Sequence, residues 1–147
     1  MSFVHHDAIA LTNSILAEIE ETGEIDDAHN RQLYALFGAS FLSALNLIDR
    51  QAVKKVVCPA QRTFITIAEI SAPDTSIIHA PKCPIRCFLK RPYCTCETFS
   101  SKVVFKSEIT MCEHLLAANL AERLKIIPQV QLTDEEFGEA LYLLRTP

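Results

Sequence analysis

The sequence has only three glycines in 147 residues, and it carries no Gly/Ser linker, low-complexity run or internal repeat. A flexible multi-part chain is therefore not expected. Nowhere do apolar residues run uninterrupted for the roughly 18 positions of a membrane span. The first residues, MSFVHHDAIALTNS, lack a basic stretch followed by an apolar core, so they do not read as a secretory signal. There is no Gly-rich phosphate loop and no Gly-x-Ser-x-Gly elbow, which removes two large enzyme classes. A cytosolic or nuclear chain is expected. With 49% hydrophobic and 22% charged residues it reads as one ordered globular domain spanning 1–147, with a modest core.

Positive charge is scarce in the first third. Residues 1–50 carry Arg31 and Arg50 against eight acids, a net of −6. The whole chain is at −4, which argues against an autonomous, tight nucleic-acid binder. Residues 82–106 run the other way: Lys82, Arg86, Lys90, Arg91, Lys102 and Lys106 face Glu97 alone, a net of +5. Either that segment meets phosphates or it is a solvated loop.

The periodicity predicts an α+β fold with N-terminal helices, a small antiparallel sheet and C-terminal helices. From Asp7 to about Glu21, Leu11, Ile15 and Ile19 recur every four residues, and Gly23 is placed to stop the helix. A longer helix is expected from Asp27 to Ile48, with Asp26 or Asp27 at its cap. Leu33, Leu36, Phe37, Phe41, Leu45 and Ile48 form its apolar stripe, as core or as interface. Gly38 inside it costs about 1 kcal/mol against Ala, so packing must compensate or something must approach closely. Val53–Val57, Thr63–Ile70 and Ser76–His79 are β-branched runs that read as strands, and Ile85–Leu89 and Val103–Phe105 are shorter candidates. His114 opens a helix carrying Leu116, Leu120 and Leu124 that ends before Pro128. Thr133 and Glu136 form a capping box for a last helix through Phe137, Ala140, Leu141 and Leu144. The parts are then 1–51 helical, 52–127 built around a metal, and 128–147 a C-terminal helix.

Six cysteines in a reducing compartment point to metal rather than disulfides. Cys83, Cys87, Cys94, Cys96 and Cys112 fall within thirty residues, beside His114. Cys94-Thr-Cys96 and Cys112-Glu-His114 are two ligand pairs separated by residues 97–111. Zn2+ takes four such donors in a tetrahedron, and a Cys-x-Cys turn aims two thiolates at one point. The second pair enters a helix, whose N-terminus favours the Cys112 thiolate. A set drawn from Cys83, Cys87, Cys94 and Cys96 is the alternative. Four protein ligands would leave no open position for water or substrate, so the expected role is structural, the chain is not expected to be an enzyme, and no small-molecule substrate is expected. Glu113, between two ligands, should point away from the metal. Cys58 reads as core, and His5, His6 and His29 read as solvated surface residues.

CTCETF followed by MCEHLLAANLAERL resembles the SWIM zinc motif, including Phe99 after the first pair and Leu115-Leu116-Ala117 after the histidine. The resemblance covers residues 94–121 and implies a zinc-binding SWIM part over 52–127. Leu36-Phe37-Gly38-Ala39-Ser40 and Ala44 through Gln51 resemble the helix of the small SWIM-domain subunit of the Shu complex, a homologous-recombination mediator. That resemblance implies a nuclear, non-enzymatic partner of RecA-like recombinase paralogues. Such a subunit works as a heteromer and promotes recombinase filaments on single-stranded DNA. Asp49-Arg50, at the end of the helix, reads as an internal ion pair or a partner contact. The rival reading is a chain that itself binds single strands through the basic 82–106 segment.

Overall fold

Ile15 and Leu16 lie about one turn before Ile19, and all three are buried, which fixes the inner side of the first helix, α1 (Phe3–Thr22). The computed structural model describes residues 3–68 and 84–142. Gly23, at φ 76°, takes the left-handed conformation that ends α1, and its N–H donates to Ile19 O at 2.8 Å. Asp26 caps α2 (Asp27–Phe37) by accepting from the His29 N–H at 2.8 Å. His29, expected at the surface, is instead buried. Its Nδ1 accepts from the Asp26 N–H at 3.4 Å and its Nε2 lies 3.1 Å from Glu18 Oε2 on α1. The ring thus ties two helices together, and the acidic neighbours that suggested exposure are its partners.

The single helix expected over 27–48 is two helices. Gly38 sits at φ 58°, ψ −130° between α2 and α3 (Ala39–Asp49), and a Cβ built there would meet nothing within 4 Å. Neither compensating packing nor a close approach explains this glycine. It is there because the break requires a backbone conformation that side-chain-bearing residues rarely adopt. Phe41, Ala44 and Leu47 are buried on α3, while Phe37 and Leu45 are half-buried and pack against the same core. Asp49 and Arg50 are both exposed.

Among the described residues the sheet has five strands in the order β4-β3-β2-β1-β5: β1 (Val53–Val57), β2 (Thr63–Ile67), β3 (Ile85–Phe88), β4 (Tyr93–Cys94) and β5 (Gln129–Gln131). The first four pair antiparallel, as the alternation predicts. β5 lies parallel to β1, with Lys55 N–H donating to Pro128 O and Leu132 N–H to Val57 O, so the sheet is mixed. Three residues of Gln-Val-Gln carry too little periodicity to read as a strand. Val103–Phe105, expected as a strand, belongs to a π-helical segment, Phe99–Phe105, with Lys106 N–H bonded to Ser101 O. Three β-formers do not decide local structure where the loop must turn back on itself. Ser76–His79, Cys83, Lys82 and Leu144 lie outside the described residues.

The two faces of the sheet bury different things. Register places Val53, Ile65, Ile67, Cys87 and Cys94 on one face, and these join the main core with α1, α2, α3 and α4 (Glu113–Arg123). Leu115, Leu116, Ala117, Ala118, Leu120 and Ala121 of α4 are all buried, so this helix is enclosed nearly all round, more than its leucine stripe implied. The alanines let neighbouring elements come close. α4 stops at Arg123, ahead of Pro128, and Lys125 follows it with φ 57°. On the other face Val56 and Phe64 meet Phe137 of α5 (Asp134–Tyr142), the Phe64 and Phe137 ring centres being 5.1 Å apart. The expected capping box starts α5: Thr133 N–H donates to Glu136 Oε2 and Glu136 N–H to Thr133 Oγ1. Among the described residues, no helix is long and apolar enough to cross a membrane.

Candidate metal centre

Two elements deliver the two ligand pairs. β3 and β4 form a hairpin that places Cys94 at its end, and Thr95 locks the strands just beyond. Its N–H donates to Arg86 O at 3.1 Å, and its Oγ1 accepts from the Arg86 N–H at 3.1 Å. The chain then bends so that Phe99 N–H donates to Cys96 Sγ at 3.3 Å. Phe99 itself is buried edge-on against Tyr93, ring centres 5.5 Å apart, which pins the bend. The π-helical segment leads the chain round to Cys112, the N-cap of α4, with His114 in the first turn.

The outcome is one cluster. The donor atoms of Cys94, Cys96, Cys112 and His114 all lie within 4.8 Å of one another, and all four residues are buried. A tetrahedral zinc with Zn–S bonds of about 2.3 Å needs sulfurs roughly 3.8 Å apart, so the set is of the right size and donor type. The electrostatics agree. Hydrogen bonding to Cys94 and Cys96, together with burial, pushes the Cys112 thiol well above the ordinary range. The thiols of Cys112 and Cys94 donate to Cys96, whose pKa falls well below it. Without a cation the cluster thus favours a single thiolate, whereas a divalent ion would hold all three. A buried group of three thiols and an imidazole has little other reason to converge.

The remaining candidates separate. Cys58 is buried in the smaller core on the far face, away from the cluster. Cys87 is completely buried with its Sγ 3.7 Å from Cys94 Sγ, but it is not one of the four mutually close donors. Its position was missed because strand alternation alone does not show that residues 87 and 94 face each other across a hairpin. Cys83, the remaining member of the alternative ligand set, lies outside the described residues. Glu113 Oε1 lies 3.8 Å from His114 Nε2. Arg86, counted in the basic segment, is buried with its guanidinium 5.8 Å from the Phe64 ring centre, so it is not a surface cation. Lys90, Arg91, Lys102 and Lys106 are exposed.

The chain is 27% identical over 133 residues to zinc finger SWIM domain-containing protein 7 of Homo sapiens, covering 90% of this chain and 88% of that protein. The proteins of the same name from Mus musculus and Danio rerio are each 28% identical, across 89% and 90% of this chain and 80% and 91% of their own lengths. The chain is thus similar, along most of its length, to SWIM-type zinc finger proteins. The likeness spans the helical half as well as the cluster. No family model and no solved structure matches the chain.

Proposed function

We propose that this chain is a non-enzymatic, nuclear subunit of a recombination-mediator complex, folded around a structural zinc held by Cys94, Cys96, Cys112 and His114. It docks on a RecA-like recombinase paralogue and promotes recombinase filaments on single-stranded DNA. The observation that carries the reading is the coincidence of two facts: the four-donor cluster closes, and likeness to SWIM domain-containing proteins extends over about 90% of the chain. The mediator role itself is what the resemblance of residues 36–51 and 94–121 implies. The surface is consistent with a protein partner. Tyr34 on α2 and Leu42 on α3 are about half exposed, and Phe105, in the segment between the two ligand pairs, is 85% exposed. Aromatic and large apolar side chains left in water are common anchors of interfaces. A tagged pull-down from nuclear extract, with His114→Ala alongside, tests the reading. The wild type is expected to recover a RecA-like paralogue and the variant to lose it; no such partner with the wild type would remove the mediator role.

One observation favours the second reading, direct binding of single strands. An open groove of about 670 Å³ is lined by Lys55, Arg62, Lys90 and Arg91 beside Phe88 and Tyr93. Cations next to aromatic rings suit a backbone with unstacked bases. Lys55 is already engaged with Glu122 Oε1 at 2.7 Å, which leaves Arg62, Lys90 and Arg91 as the groove's other cations among the described residues. This reading requires that the isolated chain bind single strands with an affinity that falls steeply with salt.

A further inference from the structure

Among the described residues, Cys87 is the one cysteine near the cluster that the ligand set leaves unused. It is fully buried and paired in register with Cys94 across the β3–β4 hairpin. Thr95 N–H bonds Arg86 O, so residues 86 and 95 are a hydrogen-bonded pair. Residues 87 and 94 are then the non-hydrogen-bonded pair of the ladder, the kind whose Cα atoms come closest, about 4.5 Å. That separation is within the range a disulfide spans. The two sulfurs already stand 3.7 Å apart with the Cys87 thiol donating. Side-chain rotation alone can bring them to the roughly 2.05 Å of a bond.

We infer that Cys87 is a resident non-ligand thiol that captures Cys94 as a disulfide when hydrogen peroxide oxidises the site. The inference rests on the zinc reading above. In the reduced state the Cys87 sulfur lies 3.7 Å from the Cys94 sulfur without being one of the four mutually close donors. In the oxidised state the Cys94 sulfur attacks one peroxide oxygen, breaking the O–O bond and giving a sulfenic acid and, with one proton, water. The Cys87 sulfur then attacks that sulfenic sulfur, its own proton leaving with the hydroxyl as a second water. Two thiol sulfurs are oxidised, one peroxide is reduced to two waters, and the metal loses a ligand. Cys87 suits this role because its thiol is not bound to the metal. It also lies at the open groove lined by Ile65, Phe88 and Leu89.

The test is peroxide titration of the full zinc-loaded chain, with zinc release followed by a chromophoric chelator and disulfides mapped by mass spectrometry. The expected result is release of one zinc per chain together with a Cys87–Cys94 disulfide, both reversed by dithiothreitol and added zinc. Cys87→Val should still load zinc, but peroxide should then drive Cys94 to sulfinic acid or to another pairing, with recovery by dithiothreitol reduced at least severalfold. If that variant does not fold, the wild-type disulfide map still decides. Zinc release with Cys87 still a free thiol, or with only Cys94, Cys96 and Cys112 joined, would overturn the inference. A chain that carries no zinc before peroxide is added would instead overturn the zinc reading.

Discussion

Cys112→Ser is expected to strip the zinc from the chain and unfold the part of the protein built around it. The substitution isolates the metal from the helix. Serine is a good N-cap, so α4 should keep its start, and the volume change is small. What is lost is one of three thiolates. Structural zinc contributes on the order of 10 kcal/mol in small modules, against roughly 5–15 kcal/mol for the stability of a whole domain. The loss should also spread. Cys112 leads directly into α4, which packs on α1, α3 and three strands of the sheet. Zinc per chain and the thermal unfolding curve check this together. Retained zinc with an unchanged curve would mean that the ligand set is wrong.

Phe41→Ala is expected to cost about 3–5 kcal/mol, the range for a buried aromatic removed from a packed core. Phe41 is 2% exposed and belongs to the main core, on a helix that packs against α4. The apolar stripe of the second helical region is therefore divided. Phe41 supports the fold, while Leu42, 53% exposed on the same helix, is available to a partner. Leu42→Ala should leave stability within about 0.5 kcal/mol, as surface changes usually do. Urea unfolding of the two variants makes the comparison, and a Phe41→Ala protein as stable as the wild type would place that ring at an interface.

How much of this was legible in the sequence depended on where local chemistry decides. Gly23 and the Thr133/Glu136 box announce their ends because the required conformation or hydrogen bond belongs to a few adjacent residues. The two ligand pairs were visible because metal donors are few and their spacing is short. Gly38 was visible as an anomaly, but whether it is tolerated in a helix or breaks it depends on the backbone around it. β5 and the π-helical segment were not visible, since each is set by partners distant in sequence: Val57 and Pro128 frame the one, and the need to return to the cluster shapes the other. His29 and Arg86 misled for a shared reason. A polar residue is read as exposed unless its buried partner is known, and Glu18 and Phe64 are eleven and twenty-two positions away. Cys87 needed the hairpin register before its neighbour Cys94 could be seen.

Everything proposed here depends on the identity of the atoms around the metal. X-ray absorption at the zinc edge of the purified chain reads that directly. The account predicts one zinc per chain with three sulfurs at about 2.3 Å and one nitrogen at about 2.0–2.1 Å. Four sulfurs, or an oxygen in the first shell, would contradict it: the former would bring Cys83 or Cys87 into the ligand set, and the latter would open the site to water.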